Sequence, residues 1–306
     1  MDRLIVAVFR QIFSFWEKAV RLRAVSLVLV LLIGNTACGG GKASAPANGA
    51  LSGNWQISLV QPPSPAPLIY TGFMLNEGNS VAGNLILGSP QCQGVGPVTG
   101  TVDGAGNVSL NINEFGQEIS LTGTSQPFAG SFSYSAGDCT ASAESGTWSA
   151  VPVQPLTGSF QGTFTSALTK AVLPVTGTLT QGPNTGNGTA SITGTIQSTG
   201  NTFCQYISQA TISGLISGTT VALNLYGPNG EQITQLGQLG KLNDVQVVSS
   251  PGVCGTPGNS PVQDCLLVTP DAKSISGNYL FPTISNACQE DWGTVQFTLS
   301  DAASSR

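Results

Sequence analysis

The sequence has no histidine and few charged residues, and both shortages exclude classes of function. Only 8% of its 306 residues are Asp, Glu, Lys or Arg. Without histidine the chain has no Ser-His-Asp or Cys-His nucleophile, no imidazole acid or base, and no histidine ligand for zinc. Amphipathic helices carry charged residues on their solvent face, so a mainly helical enzyme is not expected. We expect no cofactor and no metal, and we do not expect an enzyme.

The first residues have the layout of a secretory signal. Residues 24–33 form a ten-residue, largely apolar run, and Arg21 and Arg23 precede it. The run is shorter than the about 20 residues that a permanent spanning helix needs. We therefore expect residues 1–37 to be a helical signal peptide, and residues 38–50, which are rich in Gly, Ala and Ser, to be a flexible tether.

The end of the signal resembles the lipobox of bacterial lipoproteins. In that motif a small residue precedes a cysteine that is lipidated and becomes the first residue after cleavage; here these are Ala37 and Cys38, while Asn35 replaces the usual Leu, Val or Ile. The resemblance implies that lipid on Cys38 holds the chain to a membrane of the bacterial cell envelope, facing an oxidising extracytoplasmic space. An ordinary secretory signal, with Cys38 an ordinary cysteine, is the alternative.

Charge and cysteine content describe the part after the signal. It has five basic and 13 acidic residues, a net charge of −8, with no basic cluster, so no nucleic-acid partner is expected. Besides Cys38 it has an even number of cysteines, which outside the cytoplasm indicates disulfide bonds: Cys92, Cys139, Cys204, Cys254, Cys265 and Cys288.

An internal repeat divides this part into two domains, 51–153 and 154–300. The segment Leu-Ser-Gly-Asn-Trp-Gln at 51–56 recurs as Leu-Thr-Gly-Ser-Phe-Gln at 156–161. Towards the end of the copies the offset grows by about 35 residues, which places an insertion at about 241–273 in the second copy. Equivalent positions then predict two disulfide bonds, Cys92 with Cys139 and Cys204 with Cys288, and a third is predicted inside the insertion, Cys254 with Cys265.

The hydrophobic pattern has period two throughout. Val108, Leu110 and Ile112 alternate with polar residues, and turn signals separate such runs at about twelve-residue intervals. We predict an all-β protein of two tandem antiparallel barrels or sandwiches with about eight strands each. An apolar-Thr-Gly-Thr sequence occurs four times, and its strand glycines indicate that the sheets curl towards closure. At the level of pattern alone, the domains resemble lipocalin-like and avidin-like β-meanders.

Three features are candidates for a site. Carboxylates at Asp103, Glu114 and Glu118 could serve a glycosidase, but their place beside turns predicts solvated charges. The second is a set of aromatic residues that would stack on sugars or fill the core: Trp55, Tyr70, Trp148 and Trp292. We expect Trp55 and Trp148 to pack together where the terminal strands meet. The third is the insertion, either a recognition loop or a disulfide-pinned decoration outside the barrel.

The expected function is a binding or envelope-interaction module anchored by lipid. Its partners would be the membrane, through Cys38, and a small apolar ligand, a glycan or an envelope protein. A structural or adhesive surface protein is the alternative, and an enzyme acting on cell-wall polysaccharide comes third. A hollow lumen would favour ligand binding, and two carboxylates facing across a cleft would favour the enzyme.

Replacing Cys38 with alanine tests the lipid anchor. Metabolic labelling with a tagged fatty acid should mark the wild-type protein and leave Cys38→Ala unlabelled, because the thiol is the acylated group. Equal labelling of the two proteins would contradict lipid attachment at Cys38.

Overall fold

Strands make up most of the chain that the computed structural model describes. The described residues are 51–64, 66–87, 94–140, 142–184, 188–198, 200, 205–237, 239–242, 245–248, 266–283 and 288–301. Their one helical element is a short 3-10 helix, Gln205–Ser208, and none of them forms a helix long and apolar enough to cross a membrane. The predicted signal peptide, Cys38 and the tether lie outside the described residues.

The first repeat folds as a closed, antiparallel, eight-stranded barrel. Each strand pairs with the next along the chain, and β1 pairs with β8 to close the ring. The strands are β1 Gly53–Val60, β2 Leu68–Glu77, β3 Ser80–Leu87, β4 Gly94–Val102, β5 Asn107–Glu114, β6 Gln117–Ser125, β7 Phe128–Tyr134 and β8 Glu144–Pro152.

The second repeat also closes into a ring of eight strands. Its order is β9, β10, β11, β12, β13, β17, β18 and β19, and β19 pairs back to β9. The strands are β9 Gly158–Ser166, β10 Val172–Asn184, β11 Ala190–Ser198, β12 Ala210–Ser217, β13 Thr220–Tyr226, β14 Gln232–Leu236, β15 Leu239–Leu242, β16 Val245–Val248, β17 Leu266–Val268, β18 Ser274–Phe281 and β19 Asp291–Asp301. The prediction of two tandem antiparallel β domains is confirmed, and both are barrels.

The insertion interrupts the sixth strand of the second barrel. Leu236 of β14 pairs with Leu223, and Leu266 of β17 pairs with Val221. Both strands therefore pair with the same edge of β13, and a single residue would fit between them, opposite Ala222. A two-stranded hairpin of β15 and β16 leaves the barrel at this break. The predicted range of 241–273 was therefore wrong at its end, because the buried residues Leu266 and Val268 belong to the barrel core.

Closure fills both interiors with apolar side chains. In the first barrel, the ring of Phe128 lies between Trp55 and Trp148, with centroid distances of 4.9 and 5.0 Å. In the second, Phe164 is surrounded by other rings, at centroid distances of 5.1 to 5.7 Å: Tyr279, Phe281 and Phe297. These edge-on contacts are the preferred geometry for packed aromatic rings.

Inward glycines allow neighbouring strands to curl. Gly123 of β6 pairs with Gly130 of β7, and a Cβ on either residue would collide with a carbonyl oxygen of the other strand. Both face the interior, because their neighbours Thr122 and Ser131 are exposed. The interpretation of the Thr-Gly-Thr glycines as points of curvature agrees with this close backbone approach.

The two barrels form one compact unit with a buried joint. The turn between β12 and β13 enters the side of the first barrel, where the Gly218 amide donates to Asn54 Oδ1 at 2.8 Å and the Thr219 amide donates to Thr71 Oγ1 at 2.5 Å. Gly218 has a φ of 57°, and a Cβ there would collide with Thr71. Ile86 and the second barrel's Ala222 form a small apolar cluster beside these bonds.

A deletion tests whether the insertion splits a strand. Joining Gly237 directly to Leu266, by removing residues 238–265, should restore one continuous strand in register with β13. Cooperative thermal unfolding should survive, because β14 and β17 keep their partners. Extending the deletion to residue 268 should abolish it, since losing each large core side chain costs roughly 2 to 5 kcal/mol. Loss of cooperative unfolding in the shorter deletion would contradict the split strand.

Candidate functional site

A buried carboxylate lies near the end of the first barrel. Glu114 is the last residue of β5 and has no exposed surface, and its Oε2 accepts a hydrogen bond of 3.3 Å from the Tyr70 hydroxyl. The prediction that Glu114 is a solvated turn charge was wrong. Every second residue of β5 points into the barrel, beginning with Val108, Leu110 and Ile112. Glu114 is the next residue in this series, so its side chain also points inward although a turn follows it.

A second buried carboxylate lies at the corresponding end of the second barrel. Asp291, the first residue of β19, is 3% exposed. Its Oδ1 accepts a hydrogen bond from Ser166 Oγ and its Oδ2 accepts one from the Tyr279 hydroxyl, both 2.6 Å long. Ser166 Oγ also accepts from the Thr169 amide at 2.9 Å. The cluster thus joins β9, β18 and β19 to the turn after β9.

These carboxylates do not form the acid and base pair of a glycosidase. Glu114 and Asp291 lie inside different barrels. Asp103 lies at the opposite end of β5 from Glu114, about 25 Å away along an eight-residue strand. It is exposed, and hydrogen bonds from Asn107 hold the pKa of its carboxyl below its usual range. Glu118 is also exposed, so the solvated-turn prediction fits Asp103 and Glu118.

Three of the four candidate stacking residues belong to the core. Tyr70 and Trp148 are buried, and so is Trp55, whose Nε1 donates to the Leu51 carbonyl oxygen at 2.9 Å. Trp55 and Trp148 lie close to where β1 and β8 pair, as predicted, but each packs against Phe128, whose ring lies between them. Only Trp292 of this set is partly exposed, on the outer face of β19.

Two of the six cysteines after Cys38 lie in the described residues. Cys139 and Cys288 are buried and take part in disulfide bonds. Their predicted partners and the predicted third pair lie outside the described residues, so the pairing stays a prediction: Cys92, Cys204, Cys254 and Cys265. Within the part of the chain that the structure describes, no group of three His, Cys, Asp or Glu side chains is placed to hold a metal ion.

The outer face of β4 to β8 carries two rows of uncharged polar side chains, which we name the first hydroxyl wall; the exposed carboxylate of Glu118 lies beside them on β6. Strand register aligns two rows across these five strands. One row is Thr101, Ser109, Thr122, Ser131 and Thr147, and the next is Thr99, Asn111, Ser120, Ser133 and Ser145. Thr122 Oγ1 and Ser131 Oγ lie 3.2 Å apart and share a hydrogen bond.

The outer face of β19, β9, β10, β11 and β12 repeats this chemistry and is the second hydroxyl wall. Its rows are Ser300, Ser159, Thr178, Thr195 and Thr211, and Thr298, Gln161, Thr176 and Gln197. The sequence signal for both walls was the polar half of the period-two pattern and the threonines that flank each Thr-Gly-Thr glycine. The glycines of that motif predicted curvature, whereas its threonines were not predicted to form a surface.

Two grooves lie on the second hydroxyl wall. One, of about 570 Å³, crosses β19, β9, β10 and β11, and the other, of about 540 Å³, lies over β11, β12 and the turn after β13. Gln197 lines both grooves, so they adjoin. No carboxylate is among the residues that line these two grooves.

Comparison with protein-family models, with curated proteins and with solved structures finds no match to this chain. Its function is therefore inferred from the geometry described above.

The tyrosine clusters predict instability at alkaline pH. Burial, helped by the charge of Glu114 and the hydrogen bond to it, raises the pKa of Tyr70 well above its ordinary value near 10, and burial with the hydrogen bond to Asp291 does the same to the pKa of Tyr279. Above pH 10 the unfolded chain loses these protons while the folded chain keeps them. The free energy of unfolding should then fall by up to about 1.4 kcal/mol per pH unit for each tyrosine.

Denaturant unfolding between pH 8 and pH 11.5 measures this decline. The double variant Tyr70→Phe, Tyr279→Phe should be less stable at pH 8. Its free energy of unfolding should fall less steeply with rising pH than that of the wild type. Phe128→Leu, which removes a buried ring without removing a titrating group, serves as the control and should be less stable but keep the wild-type slope. Identical slopes in wild type and double variant would show that the clusters do not hold these protons.

Proposed function

We propose that this chain is a lipid-anchored envelope protein whose two joined barrels form one binding module. It engages its partner with the outer barrel walls rather than with a lumen. The observation that carries this proposal is that packed side chains fill both barrels. Lumen binding would instead need an empty, mostly apolar cavity.

The start of the first barrel supports anchoring through the tether. Leu51 is buried, and its carbonyl oxygen accepts the Trp55 indole hydrogen bond, so the chain is fixed as soon as the predicted tether ends. Twelve residues lie between Cys38 and Leu51. A flexible chain of that length has an end-to-end distance of about 20 Å, which would keep the module near the membrane and free to rotate.

The joint between the barrels supports action as a single body. Hydrogen bonds from Gly218 and Thr219 to Asn54 and Thr71 are buried, and such bonds are costly to break without replacement. The joint uses β1 to β3 of the first barrel, with Val95 of β4 packed against it, and the two rows of the first hydroxyl wall remain exposed or partly exposed. Both walls are thus presented together.

The buried carboxylates support binding over hydrolysis. A polysaccharide hydrolase needs two carboxyl groups that reach the scissile bond from either side. Glu114 and Asp291 are instead enclosed in separate barrels and bound to tyrosine hydroxyls.

Sedimentation with envelope fragments of the producing bacterium tests the proposal. Residues 39–306, which lack the lipid site, should sediment with the fragments in a saturable way. The apolar probe N-phenyl-1-naphthylamine should show no saturable binding, because the interiors are filled. Absence of sedimentation, or stoichiometric binding of the probe, would overturn the proposal.

Charged substitutions on the walls locate the contact. Thr122→Glu with Ser133→Glu alters the first hydroxyl wall, and Gln161→Glu with Gln197→Glu alters the second. One pair at least should weaken sedimentation tenfold or more while the melting temperature stays near that of the wild type. Undiminished binding by both would place recognition elsewhere and contradict the role of the walls.

A further inference from the structure

We propose that the grooves of the second hydroxyl wall bind a neutral polysaccharide chain. This inference rests on the proposed function and adds the chemical class of the partner. The wall crosses five strands, and at the usual strand spacing of about 4.8 Å it is about 19 Å wide. That width accommodates several consecutive sugar units running across the strands.

The first groove has the side chains that sugar hydroxyls require. Six polar residues line it: Ser159, Gln161, Thr176, Gln197, Thr298 and Ser300. Hydroxyl groups both donate and accept hydrogen bonds, and each glutamine carboxamide adds two donors and an acceptor oxygen. A sugar hydroxyl, which is itself donor and acceptor, therefore finds a complementary group at every position along the groove.

Apolar side chains form the floor of the groove beneath these polar groups. Phe160 and Leu299 line it from the barrel interior, where a Cβ on Gly177 would collide with the Phe160 ring. Phe160 and Gly177 are paired across β9 and β10, so the edge of this ring is the nearest group beneath the glycine backbone. The side chains of Phe160 and Leu299 are 4% and 6% exposed, so they close the floor of the groove and leave contact with a sugar chain to the polar rows.

Cross-strand hydrogen bonds hold the groove side chains in place before any ligand binds. Gln197 Nε2 donates to Thr176 Oγ1 at 3.4 Å, and Thr178 Oγ1 and Thr195 Oγ1 share a hydrogen bond at 3.1 Å. Ser300 Oγ donates to the Ser159 carbonyl oxygen at 3.3 Å. Side chains that are already ordered lose less conformational entropy on binding.

Charge complementarity selects a neutral polymer. None of the residues lining the two grooves is charged, so neither an anionic nor a cationic polymer finds a counter-charge there. The net charge of −8 on the chain after the signal also repels anionic polymers. An uncharged, hydroxyl-rich chain needs no counter-charge in the grooves and is not repelled by the net negative charge of the protein.

Affinity electrophoresis with two cellulose derivatives tests the charge preference directly. Residues 39–306 should be retarded in gels that contain hydroxyethyl cellulose or a neutral galactomannan, and not in gels that contain carboxymethyl cellulose, which has the same backbone with added charge. Retardation should change little between low and high salt, because no ion pair contributes. Failure of both neutral polymers to retard the protein, or preference for the charged one, would overturn the inference.

Alanine variants locate the binding surface. Gln161→Ala with Gln197→Ala should weaken retardation at least tenfold. Two exposed amides outside both walls provide matched controls, Gln154→Ala in the segment between β8 and β9 and Asn79→Ala in the turn between β2 and β3, and both should behave as wild type. Equal losses in the controls would overturn the groove assignment.

Envelope sedimentation of the same variants separates the two proposals. If the wild-type protein sediments with envelopes and the groove variant does so equally well, the polysaccharide inference is wrong and the binding module stands. If the wild-type protein does not sediment, the proposed function itself is wrong. Loss of both sedimentation and retardation in the groove variant alone supports both.

Discussion

Each of the two large sheets closes into a ring, and this closure governs the rest of the molecule. Hydrogen bonds between β1 and β8, and between β12 and β13, leave neither ring open, so every ring strand has one face inside and one outside. The inner face is filled by apolar and aromatic side chains. Where strands come too close for any side chain, as at Gly123 and Gly130, the inward residue is glycine.

The same constraint buries charge-bearing residues near the barrel ends. The alternation of inward and outward residues along β5 and β19 places the side chains of Glu114 and Asp291 inside the barrels. Burial of an isolated carboxylate there would cost free energy of folding. Tyrosine hydroxyls offset that cost by donating to both carboxylates. The result is a pair of polar clusters that hold strands together, at positions where a turn sequence suggested solvated charges.

The two repeats have diverged in what surrounds the ring. The first barrel receives the β12–β13 turn of the second through Asn54 and Thr71, so its remaining free wall is the outer face of β4 to β8. The second barrel keeps the outer face of β19 and β9 to β12 free, and this wall holds both described grooves. Its sixth strand is divided between β14 and β17, which lets an insertion leave the barrel without breaking the ring.

The sequence by itself determined the all-β class, the two copies and the positions that alternate between core and solvent. These features follow from the hydrophobic periodicity and the turn residues, and both are properties of residues close together in the sequence. Extending the alternation of Val108, Leu110 and Ile112 by one step would also have predicted a buried Glu114. The end of the insertion was misplaced because β17 has three residues, too few to show a period.

Only the tertiary structure decided that the domains are barrels, that they share a joint, and that threonines distant in sequence form continuous walls. Barrel closure depends on pairing between strands far apart in the chain, such as β9 with β19, and local pattern does not specify that pairing. The first groove arises from the register of four strands, which places Thr298, Gln161, Thr176 and Gln197 in one row. Their common surface exists only once the ring has closed.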